Sequence, residues 1–385
     1  MKTKLLILFT VVLIALNTYS QPNTADYVSG LVDPSGIVVN GTDLYVHGPD
    51  NIYKIDTTAP TPVANSIYTS DTDFSIVNFV INGTTIYMSQ ENYIESTDTW
   101  LGSRIVSLDL TNLAAPVEVI FSNSMEYISG LTINGNTLYF SSETLVNPPD
   151  FEPFFTHIDK IDITQTNPTA VNLVPNLSNN GVVKAMLFIN NDLLISITDD
   201  QKVYSIDTSV NNPTVETTIN GLGFNRGIFK NGNELYIADG NRTRKIELDN
   251  PSASLIDVAY NTTYEDTHNG SPFYANFRDV ALIGNRMYMS LQSQGRIVSA
   301  IDVTMSSEEF AISQFSLYPN PVKSQFTIQL NTSVQLEKVT LYNTLGQYLY
   351  SAKTSKVDVS NLKTGIYFVE VETNKGKSAK KIIVE

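Results

Sequence analysis

The 385-residue chain contains no cysteine. That excludes disulfide staples, thiol catalysis and the lipidated cysteine of a lipoprotein anchor, and it leaves core packing alone to hold the fold. Tryptophan occurs once, histidine three times, and charged residues make up 16% of the chain. Outside the N-terminus, no segment approaches the roughly 20 apolar residues that a membrane-spanning helix needs. Sequence signatures of chemistry are missing too: there is no G-x-S-x-G, H-E-x-x-H, phosphate-binding loop or EF-hand loop. The glycines of "GLGFNRG" (221–227) have the wrong spacing for a nucleotide loop.

What is present begins with "MKTKLLILFTVVLIALNTYS". Lys2 and Lys4 precede an apolar run from Leu5 to Leu16, and small residues, Thr18 and Ser20, follow. This order predicts a secretory signal peptide over 1–20 and a mature chain starting at Gln21 with no transmembrane span. Charge is uneven. Residues 21–311 carry 13 basic and 34 acidic residues, a net of −21, whereas residues 312–385 carry nine Lys and five acids, a net of +4. The long acidic region is unsuited to nucleic acid or an anionic membrane surface, so no nucleic-acid partner is expected.

One unit recurs six times: an apolar strand, an Asn/Gly turn, a strand containing "LY" or similar, and a strand ending in an acid. Examples are "GIVVNGTDLYVHGPDNIYKID" (36–56), "GLTINGNTLYFSS" (130–142) and "GIFKNGNELYIAD" (227–239). The closing acids are Asp56, Asp109, Asp162, Asp207, Glu247 and Asp302, 40 to 55 residues apart. Asn-Gly between apolar strands is a strong hairpin signal because both residues accept positive φ. A fourth short strand follows each acid except Asp302, and "ADYVSGL" (25–31) resembles the missing piece. Four strands per repeat at this period predict an all-β six-bladed β-propeller over 21–304, its last blade closed by the N-terminal strand. Each closing Asp is assigned a turn-capping role rather than a catalytic one. Copies one and five resemble NHL-type propeller repeats, which implies architecture and no particular activity.

Strand parity places the long connections 90–103, 143–157 and 261–276 on one face of the ring. They carry Tyr93, Trp100, Phe154 and Tyr264, aromatics suited to a glycan, peptide or protein surface, or else to packing against one another. Lys184, Arg226 and Arg278 fall at or just before the inner strands of copies four to six and are expected to converge at the channel mouth on the same face. There they would receive a carboxylate or sulfate, or pair with local acids such as Asp279. His47, His157 and His268 come from different blades and define no metal site; no cofactor is predicted, with a divalent cation left open. A gluconolactonase-like site would need carboxylates and an Asn around a metal. Asp33, Asp73, Asn78 and Asp279 lie near inner-strand starts, but Lys and Arg at the matching positions depart from that pattern. The favoured function is non-enzymatic binding through the long-loop face. The alternative is an extracellular lyase or hydrolase acting on an acidic polysaccharide at the channel mouth.

After a polar join at 305–314 the pattern changes to short alternating strands with glycine turns, which predicts a small immunoglobulin-like β-sandwich over 315–385. Here "FSLYPNPVKSQFTIQL", "VTLYNTLGQYLY", "LKTGIYFVEVE" and "SAKKIIVE" follow in order. Together they resemble the type A C-terminal sorting domain of the bacterial type IX secretion system. The resemblance implies that Tyr318, Pro319, Asn320, Pro321, Gly346, Gly365, Tyr367 and Lys381 belong to a sorting signal. It further implies that the secretion machinery is a partner and that the protein passes through the periplasm to the cell surface or the medium. A terminal Lys, common in such domains, is replaced by Val384-Glu385.

Overall fold

The computed structural model describes residues 24–385 except 98, 146–152, 179–181, 198–199, 251–254, 269–270, 303–314, 331–334, 344–347 and 374–375, together with the side chains of 95, 145, 153, 154, 178, 268 and 376–379. The expected signal peptide, the expected linker, Gly346 and the side chain of Phe154 therefore lie outside the described residues. The chain divides into two compact units, 1–302 and 303–385. Among the described residues there is no α-helix.

The first unit is a six-bladed β-propeller of four-stranded antiparallel sheets. Blade 1 runs from Ile37–Asn40 to Asn65–Thr69, blade 2 from Phe74–Asn82 to Glu118–Asn123, and blade 3 from Glu126–Asn134 to Val171–Ser178. Blade 4 runs from Val183–Ile189 to Val215–Ile219 and blade 5 from Asn225–Asn231 to Ile256–Tyr260. Blade 6 combines Val280–Ile283, Arg286–Leu291 and Arg296–Ile301 with the N-terminal strand Ala25–Ser29, which pairs antiparallel to Arg296–Ile301. That pairing closes the ring and covers an edge that would otherwise template aggregation.

The turns explain the repeated Asn-Gly. Gly41, Gly83, Gly135, Gly232 and Gly284 have φ between 59° and 66°, and in blade 4 Asn190 takes the same left-handed conformation at φ 56°. Glycine adopts it without a Cβ clash, and asparagine is the next most tolerant residue. The asparagine before the glycine has a second task. Asn40 donates to the carbonyl of Gly83 and Asn82 to that of Gly135, each at 3.2 Å, so the turn of one blade is tied to the turn of the next.

The core lies between blades rather than within one. Leu44, Val46 and Ile55 of blade 1 pack with Ala281, Tyr288 and Ile297 of blade 6, while Tyr45 and Ile52 pack with Phe79, Ile86 and Met88 of blade 2. Comparable clusters join blades 2 and 3, 3 and 4, and 4 and 5. Each such residue, fully buried, contributes about 1.5–3 kcal/mol. Between blades 5 and 6 a buried polar network is added. The Tyr236 hydroxyl lies 2.7 Å from Glu234 Oε2 and 2.6 Å from Asp302 Oδ2, and Lys245 Nζ contacts Glu234 and sits 3.2 Å from Asp302.

The second unit packs a three-stranded sheet with a four-stranded one (Leu336–Asn343, Tyr348–Ala352, Gly365–Thr373 and Gly376–Val384) around Phe326, Val339, Leu341, Val369 and Ile382. Its opening segment docks on the last strand. Asn320, flanked by Pro319 and Pro321, donates to the Lys381 carbonyl at 3.1 Å and accepts from the Ile383 amide at 2.9 Å. Proline has no N–H, so the asparagine amide supplies both halves of a strand-like pair where the prolines cannot. Tyr318 is exposed, Gly365 pairs with Val384, and the Tyr367 hydroxyl donates to the Lys363 carbonyl at 2.7 Å.

Candidate functional site at the channel mouth

A cavity of about 570 Å³ opens in the propeller channel and draws lining residues from all six blades. A shared backbone device shapes it. The pairing of first and second strands slips at Val77 in blade 2, Ser129–Gly130 in blade 3, Lys184 in blade 4 and Arg226–Gly227 in blade 5. Blade 6 repeats the geometry outside its regular pairing: the Arg278 amide donates to Ser290 and the Ser290 amide to Asp279. A β-bulge releases one residue from the ladder and re-aims its side chain. Val77, Ser129, Lys184, Arg226 and Arg278, at these positions, line the cavity.

Lys184, Arg226 and Arg278 thus come together, from three consecutive blades. Burial pulls the Arg278 pKa down, opposed by the charges of Asp266 and Asp33. Asp279 lines the same cavity but is committed to the scaffold. Its Oδ2 accepts from the Ile37 amide of blade 1 and its Oδ1 from the Val280 amide, both at 2.8 Å. A Cβ on Gly227 would stand 1.7 Å from that carboxylate, so glycine is required there. Burial pushes Asp279 up to about 7, against these two amides.

From blades 2 and 3, Glu91 and Tyr127 join the same lining, each half-buried. Burial alone pushes Glu91 up to about 7. Burial, with the charges of Glu91 and Glu143 behind it, pushes Tyr127 well above the usual phenol range. Glu143 lies behind the lining, fully buried; it accepts from Ser129 and, at 3.4 Å, from the Val183 amide, and its Oε2 has no hydrogen-bond partner among the described residues. Burial sets its pKa at about 7, against those bonds and the charge of Lys184. His47 is buried, which pulls it down to about 4; its Nδ1 donates to the Gly48 carbonyl at 3.1 Å and its ring stands edge-on to Phe79.

Among the described aromatics of the long connections, Tyr93, Trp100 and Tyr264 lie outside this lining. Segment 90–103 is not a loop: Thr85–Ile94 and Thr99–Asp109 form a long ribbon in which Tyr93 and Trp100 pair across the strands. Tyr264 is engaged elsewhere. Its hydroxyl lies 2.5 Å from Asp26 and accepts from Arg296 at 2.7 Å, and the Arg296 guanidinium stacks 4.1 Å from its ring centroid. Glu91, Tyr127 and Glu143 were not among the candidates read from sequence. Glu91 falls in the connection expected over 90–103, and the inner strand expected for blade 3 starts at Gly130, after Tyr127. Aligning "EYISGL" with "NRGIF" and "RDVAL" would have placed Tyr127 beside the bulges.

A second cluster lies in blade 3. His157 Nε2 is 3.4 Å from Glu126 Oε1 and 3.1 Å from Asp159 Oδ2. These bonds push the imidazole up to about 10, so it is a cation bridging two carboxylates. Asn123, Ser142 and Asn172 donate to the same carboxylates. One nitrogen and two oxygens within 4.8 Å also make a donor set that a divalent cation could take in exchange for the imidazole proton. In the channel, by contrast, Asn78 Oδ1 accepts from the Phe79 amide and Asp279 is bound to backbone, so these two groups are turned to the scaffold.

Known proteins resemble the chain in two separable ways. The propeller fold is shared with a putative gluconolactonase (TM-score 0.53, 9% identity, covering 73% of this chain and 92% of that one) and a luciferin-regenerating enzyme (0.52, 12%, 72% and 93%). It is also shared with a calcium-binding regucalcin from Agrobacterium tumefaciens (0.52, 8%, 73% and 94%). At these identities the likeness concerns fold alone. An ulvan lyase from Nonlabens ulvanivorans is 30% identical over 119 residues, which is 30% of this chain and 19% of that protein, so the match spans about a fifth of the relative. Residues 316–385 match the secretion system C-terminal sorting domain. With that domain behind a six-bladed propeller, the chain is a type IX secretion cargo, exported to the cell surface or beyond it.

Proposed function

We propose that the exported propeller binds an acidic glycan at its channel mouth, with Lys184, Arg226 and Arg278 receiving carboxylate or sulfate groups. The observation that carries this reading is the meeting of three cations in one cavity of about 570 Å³, within a region of net charge −21. Such a volume suits a small ligand or one or two units of a chain. The bulged backbone holds the cations in place before the ligand arrives, which reduces the ordering cost of binding. The ribbon of Thr85–Ile94 and Thr99–Asp109, whose Glu91 lines the cavity, gives a longer glycan, or a peptide or protein bearing acids, a rim to follow. The ulvan lyase resemblance is consistent with a polysaccharide partner.

Calorimetric titration with oligogalacturonate and with an uncharged oligosaccharide of equal length tests the reading. The acidic ligand is expected to bind and the neutral one not. Replacing Lys184, Arg226 and Arg278 together by Gln is expected to weaken binding by about 100-fold or more, the usual consequence of removing buried charge partners. Equal binding of both sugars, or unchanged affinity in a triple variant with an intact thermal transition, would overturn it.

A further inference from the structure

The cations come from blades 4 to 6; blades 2 and 3 bring a carboxyl, Glu91, and a phenol, Tyr127, to the same cavity. Among the described residues, no hydrogen bond or ion pair reaches the Glu91 carboxylate, although it is half-buried in the lining. Tyr127, in the adjoining blade, lies in the field of Glu91 and of the buried Glu143. Asp279, the other lining carboxylate, is occupied by two backbone amides.

The distribution of groups selects a reaction class. Glycoside hydrolysis ordinarily uses two carboxylates flanking the scissile bond, about 5–9.5 Å apart. Only one open carboxylate is present in this lining among the described residues. Elimination from a uronate needs a different set: one base, one acid, and cations that neutralise the sugar carboxylate so that the neighbouring C–H becomes acidic. Glu91, Tyr127 and the Lys184, Arg226 and Arg278 trio supply that set in one cavity.

Resting on the acidic-glycan reading, we propose that the cavity cleaves a uronate polysaccharide by β-elimination, with Glu91 as the base and Tyr127 as the acid. Glu91 takes the proton from the ring carbon that bears the carboxylate. The C–H electron pair becomes a double bond to the adjacent carbon, and the bond from that carbon to the glycosidic oxygen breaks. Tyr127 gives its proton to the departing oxygen. The Tyr127 phenolate then recovers a proton from Glu91, which restores both groups. No water, oxidant or metal is consumed, and the products are one new chain end and one unsaturated sugar. The states of the two groups suit these tasks: Glu91 is raised to about 7, a base of useful strength near neutral pH, and Tyr127 stays protonated until it is needed.

The test uses the whole secreted chain with alginate, polygalacturonate and glucuronan, following the ultraviolet absorbance of the conjugated product beside a reducing-end assay. At least one polymer should give both signals, with a rate that rises as pH passes upward through about 7. Glu91→Gln and Tyr127→Phe should each lower kcat by about 10²–10⁴ while calorimetric affinity stays within about twofold, the pattern of a group that acts only in the transition state. Binding of the polymers by the wild type without absorbance, new reducing ends without absorbance, or full activity in Glu91→Gln would overturn the elimination and leave the binding reading standing. Failure of all three polymers to bind would overturn both.

Discussion

The two ends of each blade treat the repeat differently. At the turn after the third strand, four blades do the same thing with the same residue. Asp56, Asp109, Asp162 and Asp207 each accept from the amide of the Thr or Ser two residues on, at 2.7–2.9 Å, and from its hydroxyl. At the opposite end, where the inner strand enters the channel, the bulge recurs but its residue changes: Val77, Ser129, Lys184, Arg226 and Arg278. A position repeated with its residue is scaffold. A position whose backbone is repeated while its side chain varies is where one ring can differ from another in chemistry. The cations fall at the second kind.

Departures from the repeat sharpen this contrast. Asp302, the last closing acid, differs from these four in its burial. It is buried and shares Oδ2 with Tyr236 and Lys245. Lys245→Ala would leave Glu234 and Asp302 buried without their cation, and a loss of about 3–5 kcal/mol is expected in denaturant unfolding. If the variant unfolds like the wild type, the network is not what fastens blade 5 to blade 6.

A smaller effect is expected from pH at the mouth. Glu91, Asp279 and Glu143 all titrate near 7 because burial disfavours their charge. As pH rises through 7 they become negative, oppose the cations, and acidic-glycan affinity should fall several-fold. Glu91→Gln should flatten part of that fall, read by calorimetry at pH 6 and pH 8. A slope of opposite sign would mean that the lining carboxylates do not face the ligand.

The smallest effect belongs to the turns. Hydrogen bonds from Thr111 hold Asp109 below its ordinary range, and the same holds for Asp56, Asp162 and Asp207 with their own partners. A depressed carboxylate stabilises the fold above its unfolded pKa, and that contribution is lost as pH falls through the folded one. Asp109→Ala should lower Tm slightly at pH 7, with the difference vanishing in acid, and should leave glycan binding unchanged. A change in binding would erase the distinction between the two ends of the blade.

Much of this is legible in the sequence. "NG" between apolar runs specified each hairpin, because few residues accept the left-handed turn. "ADYVSGL" before the first complete blade signalled ring closure, and "YPNPV" marked a change of domain. Parity put Lys184, Arg226 and Arg278 at one mouth. Tyr127 lies beyond a bulge that breaks the period of two by which strand faces are counted, and Glu91 falls in the polar stretch 90–103 that reads as a connection. The Glu126–His157–Asp159 cluster escaped because Glu126 and His157 sit on different strands of one blade, 31 positions apart in the sequence. The 90–103 part of the ribbon reads as a connection because its polar residues mask the strand pairing.

By itself the sequence determined the local and repeated features: turn type, strand period, repeat length, and the sorting domain that directs export. These depend on backbone preferences and on motifs short enough to be contiguous. Only the tertiary structure decided which side chains share a cavity, which carboxylates are tied to backbone amides and which stand open. Those outcomes follow from burial and from distances between blades, and both exist only once the ring has closed.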